Sequence, residues 1–236
     1  MTKKTSLLQT KQLSKTYGKG EAAFKALTSI DLTVQEGETI AVIGKSGSGK
    51  STLMHLLALL DSPTEGSVHI NGVDASSLKR KEVDALRNSQ FGFVFQQFFL
   101  NGDESVLNNV MLPLKIAGLS PRKRKAMATE VLESVELGDK IKNKASELSG
   151  GQKQRVVIAR ALVNQPKVIF ADEPTGNLDS STGSKIENLL FKLNKQKGIT
   201  LIFVTHDEDL AKRCDRQVNI KDGQITNVTV NRKAVK

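Results

Sequence analysis

The sequence predicts an α/β fold, with a mainly parallel sheet and helices packed on it, an N-terminal antiparallel β subdomain, and an inserted helical subdomain at about residues 97–150. Three observations carry that expectation. After Ser149, helix and strand patterns alternate, which implies crossover connections and parallel pairing. Near the start, Ile30, Leu32 and Val34 alternate with polar residues before a Glu36-Gly37 turn, a β period. Between Gln96 and Ser149 the pattern is helical.

The elements follow in order. Residues 7–13 read as β, and the alternation around Ile30 supplies the next strand. Residues 39–43 form an apolar strand that runs into a glycine-rich turn, followed by an apolar helix over about 50–60. Val68, Ile70 and the pair Asn71-Gly72 signal a hairpin, since that pair accepts the positive φ of a tight turn. In the insert, Ser120-Pro121 provides an N-cap and first helical residue, and Leu137-Gly138 closes that helix. A helix over about 150–164, a strand over 168–171, a helix over about 180–197 and a strand over 200–204 complete the reading. No repeat, low-complexity tract or linker divides the chain, so a single domain over 1–236 is expected.

Composition excludes several classes. Hydrophobic residues make up 38% and charged residues 25% of the 236, a globular composition. The longest apolar stretch, 53–60, contains His55 and is far shorter than the ~20 residues a bilayer span needs. The opening MTKKTSLLQTKQL lacks the apolar run of ~7–15 residues of a secretory signal, so a cytoplasmic chain is expected. One cysteine, Cys214, and three histidines exclude an internal disulfide and a structural zinc. The formal charge of +10 admits nucleic acid, an anionic membrane face or a phosphate ligand. With no Trp and a single Tyr, no single-strand stacking surface and no nucleic-acid partner is expected. The basic residues at 122–125, at Lys140, Lys142 and Lys144, and at Arg232, Lys233 and Lys236 read as solvated faces and a tail.

The strongest chemical signal is Gly44-Lys45-Ser46-Gly47-Ser48-Gly49-Lys50-Ser51, placed between a strand and a helix. Glycines let backbone N–H groups turn onto phosphate oxygens at a helix N-terminus that carries about half a positive charge. Lys50 adds a full charge near the β and γ phosphates, and the Ser51 hydroxyl can ligate Mg²⁺. The fold is therefore expected to be of the phosphate-loop (P-loop) NTPase kind. A second signal is the apolar run 168–171 ending in Asp172-Glu173: Asp172 can serve a nucleotide-bound Mg²⁺, and Glu173 can orient and deprotonate an attacking water. Two more strands end in polar residues, at Gln96 and at Thr205-His206-Asp207. Ligands of open parallel sheets bind at carboxyl strand ends, so Gly44, Gln96, Asp172 and His206 are expected along one edge. There Gln96 would touch the metal or its water and His206 would donate to the γ-phosphate. Finally, Ser149-Gly150-Gly151-Gln152 opens a helix. The Ser149/Gln152 pair is a capping box, while the two glycines would let an anion approach. That helix end has no lysine of its own, which points to a nucleotide held by another subunit.

Taken together, these motifs resemble the ATP-binding subunit of an ABC transporter over about residues 7–228. By that resemblance 44–52, ending in Thr52, is the Walker A loop, Gln96 the Q-loop, 148–152 the signature, 168–173 Walker B, Asp179 part of the D-loop, and His206 the switch histidine. Tyr17, in Ser14-Lys15-Thr16-Tyr17-Gly18, is implied to stack on adenine. The family implies ATP and Mg²⁺, a head-to-tail homodimer, an integral-membrane permease partner, and a place on the inner face of the cell membrane. Gly92-Phe93-Val94-Phe95-Gln96 and the run from Ala171 to Asp179 are similar to the branch for lipoprotein release and macrolide or peptide efflux. In place of that branch's leucine-proline stretch, this chain has Phe98-Phe99-Leu100-Asn101-Gly102-Asp103-Glu104, in a segment that faces the permease in the family. The alternative is an ABC-type ATPase without a transport role, in cell-division signalling or on ribosomes or nucleic acid.

Overall fold

The structure, a computed structural model, describes residues 6–231; Arg232, Lys233 and Lys236 of the basic tail lie outside the described residues. In chain order the strands are β1 (Ser6–Tyr17), β2 (Phe24–Gln35), β3 (Thr39–Ile43), β4 (Glu65–Ile70), β5 (Val73–Asp74), β6 (Phe91–Phe95), β7 (Val168–Asp172), β8 (Thr200–Val204), β9 (Arg216–Lys221) and β10 (Gln224–Val230). The helices are α1 (Lys50–Leu57), α2 (Arg80–Gln90), α3 (Val106–Ile116), α4 (Pro121–Ser134), α5 (Gly150–Leu162), α6 (Ser180–Lys197) and α7 (Glu208–Arg213). Two compact units form: one from residues up to Asp84 and from Thr200 onward, the other from Ala85–Ile199.

In the first unit an antiparallel sheet runs in the order β2-β1-β4-β5, the expected antiparallel β subdomain. β1 and β2 outrun the alternating pattern because bulges shift their register at four points, so the period of two is broken while the pairing continues. Asn71 and Gly72 take φ of 50° and 81° and close the hairpin between β4 and β5. Beside it lie β10-β9-β3-β8, in which β3 runs parallel to both β8 and β9. The Asp215 carboxylate accepts from the Thr39 N–H and hydroxyl at 2.8 and 2.9 Å and fixes the start of β3. α1 buries Leu53, Met54, Leu56 and Leu57, each such side chain contributing ~1.5–3 kcal/mol. It stops at Leu57, three residues before the apolar run ends, where Leu59 turns left-handed with φ 55°.

In the second unit β6 and β7 pair in parallel, from Phe91 opposite Val168 to Phe95 opposite Asp172. The Phe170 ring stacks on Phe93 at 5.7 Å and meets Phe91 edge-on at 5.3 Å. A Cβ at Gly92 would stand 2.5 Å from the Ala161 carbonyl oxygen, so a glycine is what lets α5 lie close against β6. Val110 and Leu114 of α3 and Ala128 and Leu132 of α4, in the segment expected to be helical, are fully buried, as is Val157 of α5. Ser120 and Pro121 open α4 as read from the sequence; it ends at Ser134 instead of near Leu137, where Glu136 turns left-handed.

Candidate active site

The loop from Gly44 to Gly49 joins β3 to α1, and each of its glycines has a separate physical reason. A Cβ at Gly44 would collide with the Ile220 carbonyl oxygen. Gly49 has φ +104°, and a Cβ there would stand 2.7 Å from the Ala26 carbonyl oxygen and 2.8 Å from Leu27 Cδ2. Gly47 has φ +76° but faces open space. The Gly223 N–H donates to the Ser48 carbonyl at 3.0 Å and locks the loop from beneath. Lys50 Nζ donates to the carbonyls of Gly44 and Lys45, both at 2.9 Å, which curls the ammonium into the loop. Lys45, Ser46 and Ser51 are exposed, and Thr52 is half-buried. A cavity of about 280 Å³ is lined by Ser46, Gly47, Gly49, Lys50, Ser51 and Thr52, together with Phe24 and Ala26. Loop residues, one lysine and the start of α1 line one cavity, the set of groups that suits an anion of triphosphate type.

Parallel pairing aligns the polar strand ends within each unit. In the first, Val42 pairs with Val204, so Gly44 and Thr205-His206 both lie just past the carboxyl ends of neighbouring strands. The Thr205 N–H donates to the Val42 carbonyl at 3.2 Å, and the Asp207 N–H to Thr205 Oγ1 at 3.0 Å, which sets the exposed turn carrying His206. In the second, Phe95 pairs with Asp172, so Gln96 and Glu173 are the next residue on each strand. Glu173 has φ +43°, an uncommon conformation for a residue with a Cβ and one concentrated at functional sites. Hydroxyl, amide oxygen and carboxylate, on Ser51, Gln96 and Asp172, are the hard oxygen donors that Mg²⁺ takes. Among the described residues no group of three His, Cys, Asp or Glu could hold a metal ion.

The Ser149 turn is a capping box in fact: the Gln152 N–H donates to Ser149 Oγ at 3.4 Å, and the Ser149 N–H to Gln152 Oε1 at 3.0 Å. Its glycines also have a packing reason that sequence could not supply. A Cβ at Gly151 would stand 2.5 Å from Thr182 Cγ2, and one at Gly150 3.3 Å from Leu178 Cδ2. Asp179 caps α6, accepting from the Thr182 N–H at 3.0 Å; the Thr182 bonds hold its carboxyl below the ordinary aspartate range.

Tyr17 ends β1. Its O–H donates to Asp61 at 2.9 Å and Lys15 Nζ stands 4.8 Å from its ring centroid. Partial burial, then the bond to Asp61, raise its pKa. Burial alone would raise Asp61 as well, but bonds from Lys15, Tyr17 and the Ser62 N–H outweigh it and hold that carboxyl below its usual value.

Two further residues act on the strand ends, and sequence reasoning missed both. Gln154 of α5 is fully buried; its Nε2 donates to the Pro174 carbonyl at 2.6 Å and to that of Phe95 at 3.5 Å. It therefore ties together the backbone beside Gln96 and beside Glu173. Asn177 clasps Gln96, its Nδ2 donating to the Gln96 carbonyl at 2.9 Å while Gln96 Nε2 donates to Asn177 Oδ1 at 3.2 Å. A buried amide on an apolar helix face was the available signal for Gln154; for Asn177 there was none.

A phosphate loop on one parallel strand and a carboxylate pair ending another define a nucleoside triphosphatase of the P-loop class. The ABC transporter family model matches residues 27–176. The chain belongs to that family, as its ATP-binding and ATP-hydrolysing cassette. It is 46% identical over 219 residues to the lipoprotein-releasing system ATP-binding protein LolD of Syntrophus aciditrophicus, spanning 93% of this chain and 98% of that protein. It is also 46% identical over 225 residues to the macrolide export ATP-binding/permease protein MacB of Acinetobacter baylyi, spanning 95% of this chain but 34% of that protein. A solved dimeric ATP-binding cassette, in a post-hydrolysis state bound to ADP and Pi, aligns with a TM-score of 0.86 at 42% identity, covering 95% of this chain and 99% of that one.

Proposed function

We propose that this cassette powers a separate membrane permease in extrusion of a lipoprotein, peptide or drug, working as a head-to-tail pair of copies on the inner face of the cell membrane. The observation that carries the reading is the identity of 46% along 98% of a lipoprotein-releasing ATP-binding protein. Each ATP lies between the Lys50 loop of one copy and the Ser149 turn of the other. The Lys50 ammonium neutralises β and γ phosphate charge, and the loop amides orient the chain of phosphates. Ser51, Gln96 and Asp172 would hold Mg²⁺, which would supply further positive charge against the phosphates. Glu173 takes the proton of the attacking water, and His206 donates to the γ-phosphate as it leaves. The permease docks on the second unit, where Phe99, Leu112 and Ile116 are exposed and Leu112 lines a cavity of about 610 Å³ together with residues of α3 and α4. No helix among the described residues is long and apolar enough to cross a membrane.

The test is the oligomeric state of Glu173→Gln with saturating MgATP, measured by sedimentation velocity. A dimer that forms with ATP, and that Ser149→Asp abolishes, is the expected result. A variant that remains monomeric at saturating nucleotide would refute the shared site.

A further inference from the structure

We infer that the tip of the α3–α4 hairpin is a docking surface for anionic lipid headgroups, with Lys115, Arg122, Lys123, Arg124 and Lys125 as its contacts. The inference rests on the reading that the cassette works at the inner face of the cell membrane, and it names a chemical partner there besides the permease. Residues 105–129 hold these five cations and no acid. Among the described residues none of the five is in an ion pair, and all but the half-buried Arg124 are exposed.

These charges do not serve the fold. Four of them follow Pro121 directly in the first turns of α4, where the helix dipole is positive and favours anions over cations. That first turn contains no acid, and the Ser120 side chain makes no capping bond. Successive helical residues point about 100° apart, so four in a row share no side face. What they share is the helix end, which presents them together to a surface met end-on. Lys115, in the last turn of α3, joins them, lining one cavity of about 610 Å³ with Arg124 and Lys125. Arg124 Nε is buried and has no hydrogen-bond partner among the described residues. Leu112 lines that cavity too, and Ile116 is 69% exposed, so the charged tip continues from the apolar residues given to the permease. Clusters of about four to eight Lys or Arg beside exposed apolar side chains are drawn to anionic bilayers, each cation strengthening attachment about fivefold. An end-on ring of cations fits a flat, laterally continuous anionic surface better than it fits a single carboxylate.

The test is co-sedimentation of the full chain with vesicles of phosphatidylcholine, alone or with about 30 mol% phosphatidylglycerol, at about 0.05 M and about 0.5 M salt. Binding to the anionic vesicles alone, and only at the lower salt, is expected. The triple variant Arg122→Gln, Lys123→Gln, Lys125→Gln should bind about a hundredfold more weakly. A charge-matched control on exposed residues of α6, Lys192→Gln, Lys195→Gln, Lys197→Gln, should stay within about threefold of wild type. The urea midpoint of the α4 variant should hold or rise, because charges that oppose the helix dipole are gone. Absence of wild-type binding to anionic vesicles overturns the proposal. So does an equal loss in the two triple variants, which assigns the attraction to net charge alone, and so does a midpoint lowered by more than about 0.5 M in the α4 variant, which makes the charges structural. The inner-face reading fails separately, if the cassette is missing from washed membranes of cells that contain it, whatever the vesicles show.

Discussion

Replacing Gly49 with alanine puts a methyl group 2.7 Å from the Ala26 carbonyl oxygen and 2.8 Å from Leu27 Cδ2 at φ +104°, whereas the same change at Gly47 meets nothing within 4 Å at φ +76°. Left-handed backbone costs an L-residue ~1–2 kcal/mol. At Gly49 overpacking adds ~1–3 kcal/mol, because the obstacles are a backbone oxygen and a fully buried leucine that cannot swing aside. Gly49→Ala should therefore lose roughly 2–5 kcal/mol of folding stability. At Gly47 the backbone cost is partly offset by ~0.4–1 kcal/mol from the stiffer unfolded chain, leaving about 1 kcal/mol or less. Urea denaturation separates the two: with a slope of about 3 kcal/mol/M, the midpoint should fall by about 1 M for Gly49→Ala and by less than about 0.3 M for Gly47→Ala. MgATP affinity should fall in Gly47→Ala, since Gly47 lines the 280 Å³ cavity beside Lys50 and an added methyl group takes space there. Equal midpoints for the two variants, or a Gly47→Ala protein that binds MgATP normally, would refute this division of the loop into a folding glycine and a ligand glycine.

Three further outcomes are expected. Ser149→Ala should lower stability by about 1 kcal/mol through loss of the cap, while Ser149→Asp keeps the cap and folding midpoint but blocks ATP-driven dimerisation by placing a carboxylate where phosphate approaches. Gln154→Leu leaves the Pro174 carbonyl without its 2.6 Å donor; it should cost ~1–3 kcal/mol and lower kcat more than it raises KM, read from steady-state phosphate release. Asp61 has a folded pKa below its unfolded value, so its contribution is present above about pH 4 and is lost as pH falls through the folded value. The stability difference between wild type and Asp61→Asn should hold from pH 8 to 5 and close at lower pH; a difference that instead closes between pH 6 and 8 would contradict the Lys15–Asp61–Tyr17 cluster.

Much of this was legible in the sequence because the chemistry is local. The loop 44–51, the acids ending β7 and the Ser149/Gln152 box are each short runs whose spacing decides their geometry, and α6 and β8 begin and end where the pattern places them. Boundaries failed where the chain turns left-handed at residues other than glycine, as at Leu59 and Glu136. α2 was missed because it buries no residue and so lacks an apolar stripe. The β9/β10 hairpin carried a usable signal, Asp222-Gly223, with φ of 49° and 74°. What no spacing rule could reach is tertiary: Gln154 bridging two strand ends, the Asn177 clasp on Gln96, and Ala26 wedged against Gly49. These side chains and contacts hold the chemistry in place without belonging to any motif.

The central claim is that Glu173 activates water on ATP gripped by the Lys50 loop. Phosphate release measured side by side for the wild-type chain and Glu173→Gln tests it most directly. A general base contributes ~10²–10⁴-fold, so turnover should drop by at least about a hundredfold while MgATP affinity stays within about threefold. Turnover that remains within tenfold of wild type, with nucleotide still bound, would assign the proton to some other group.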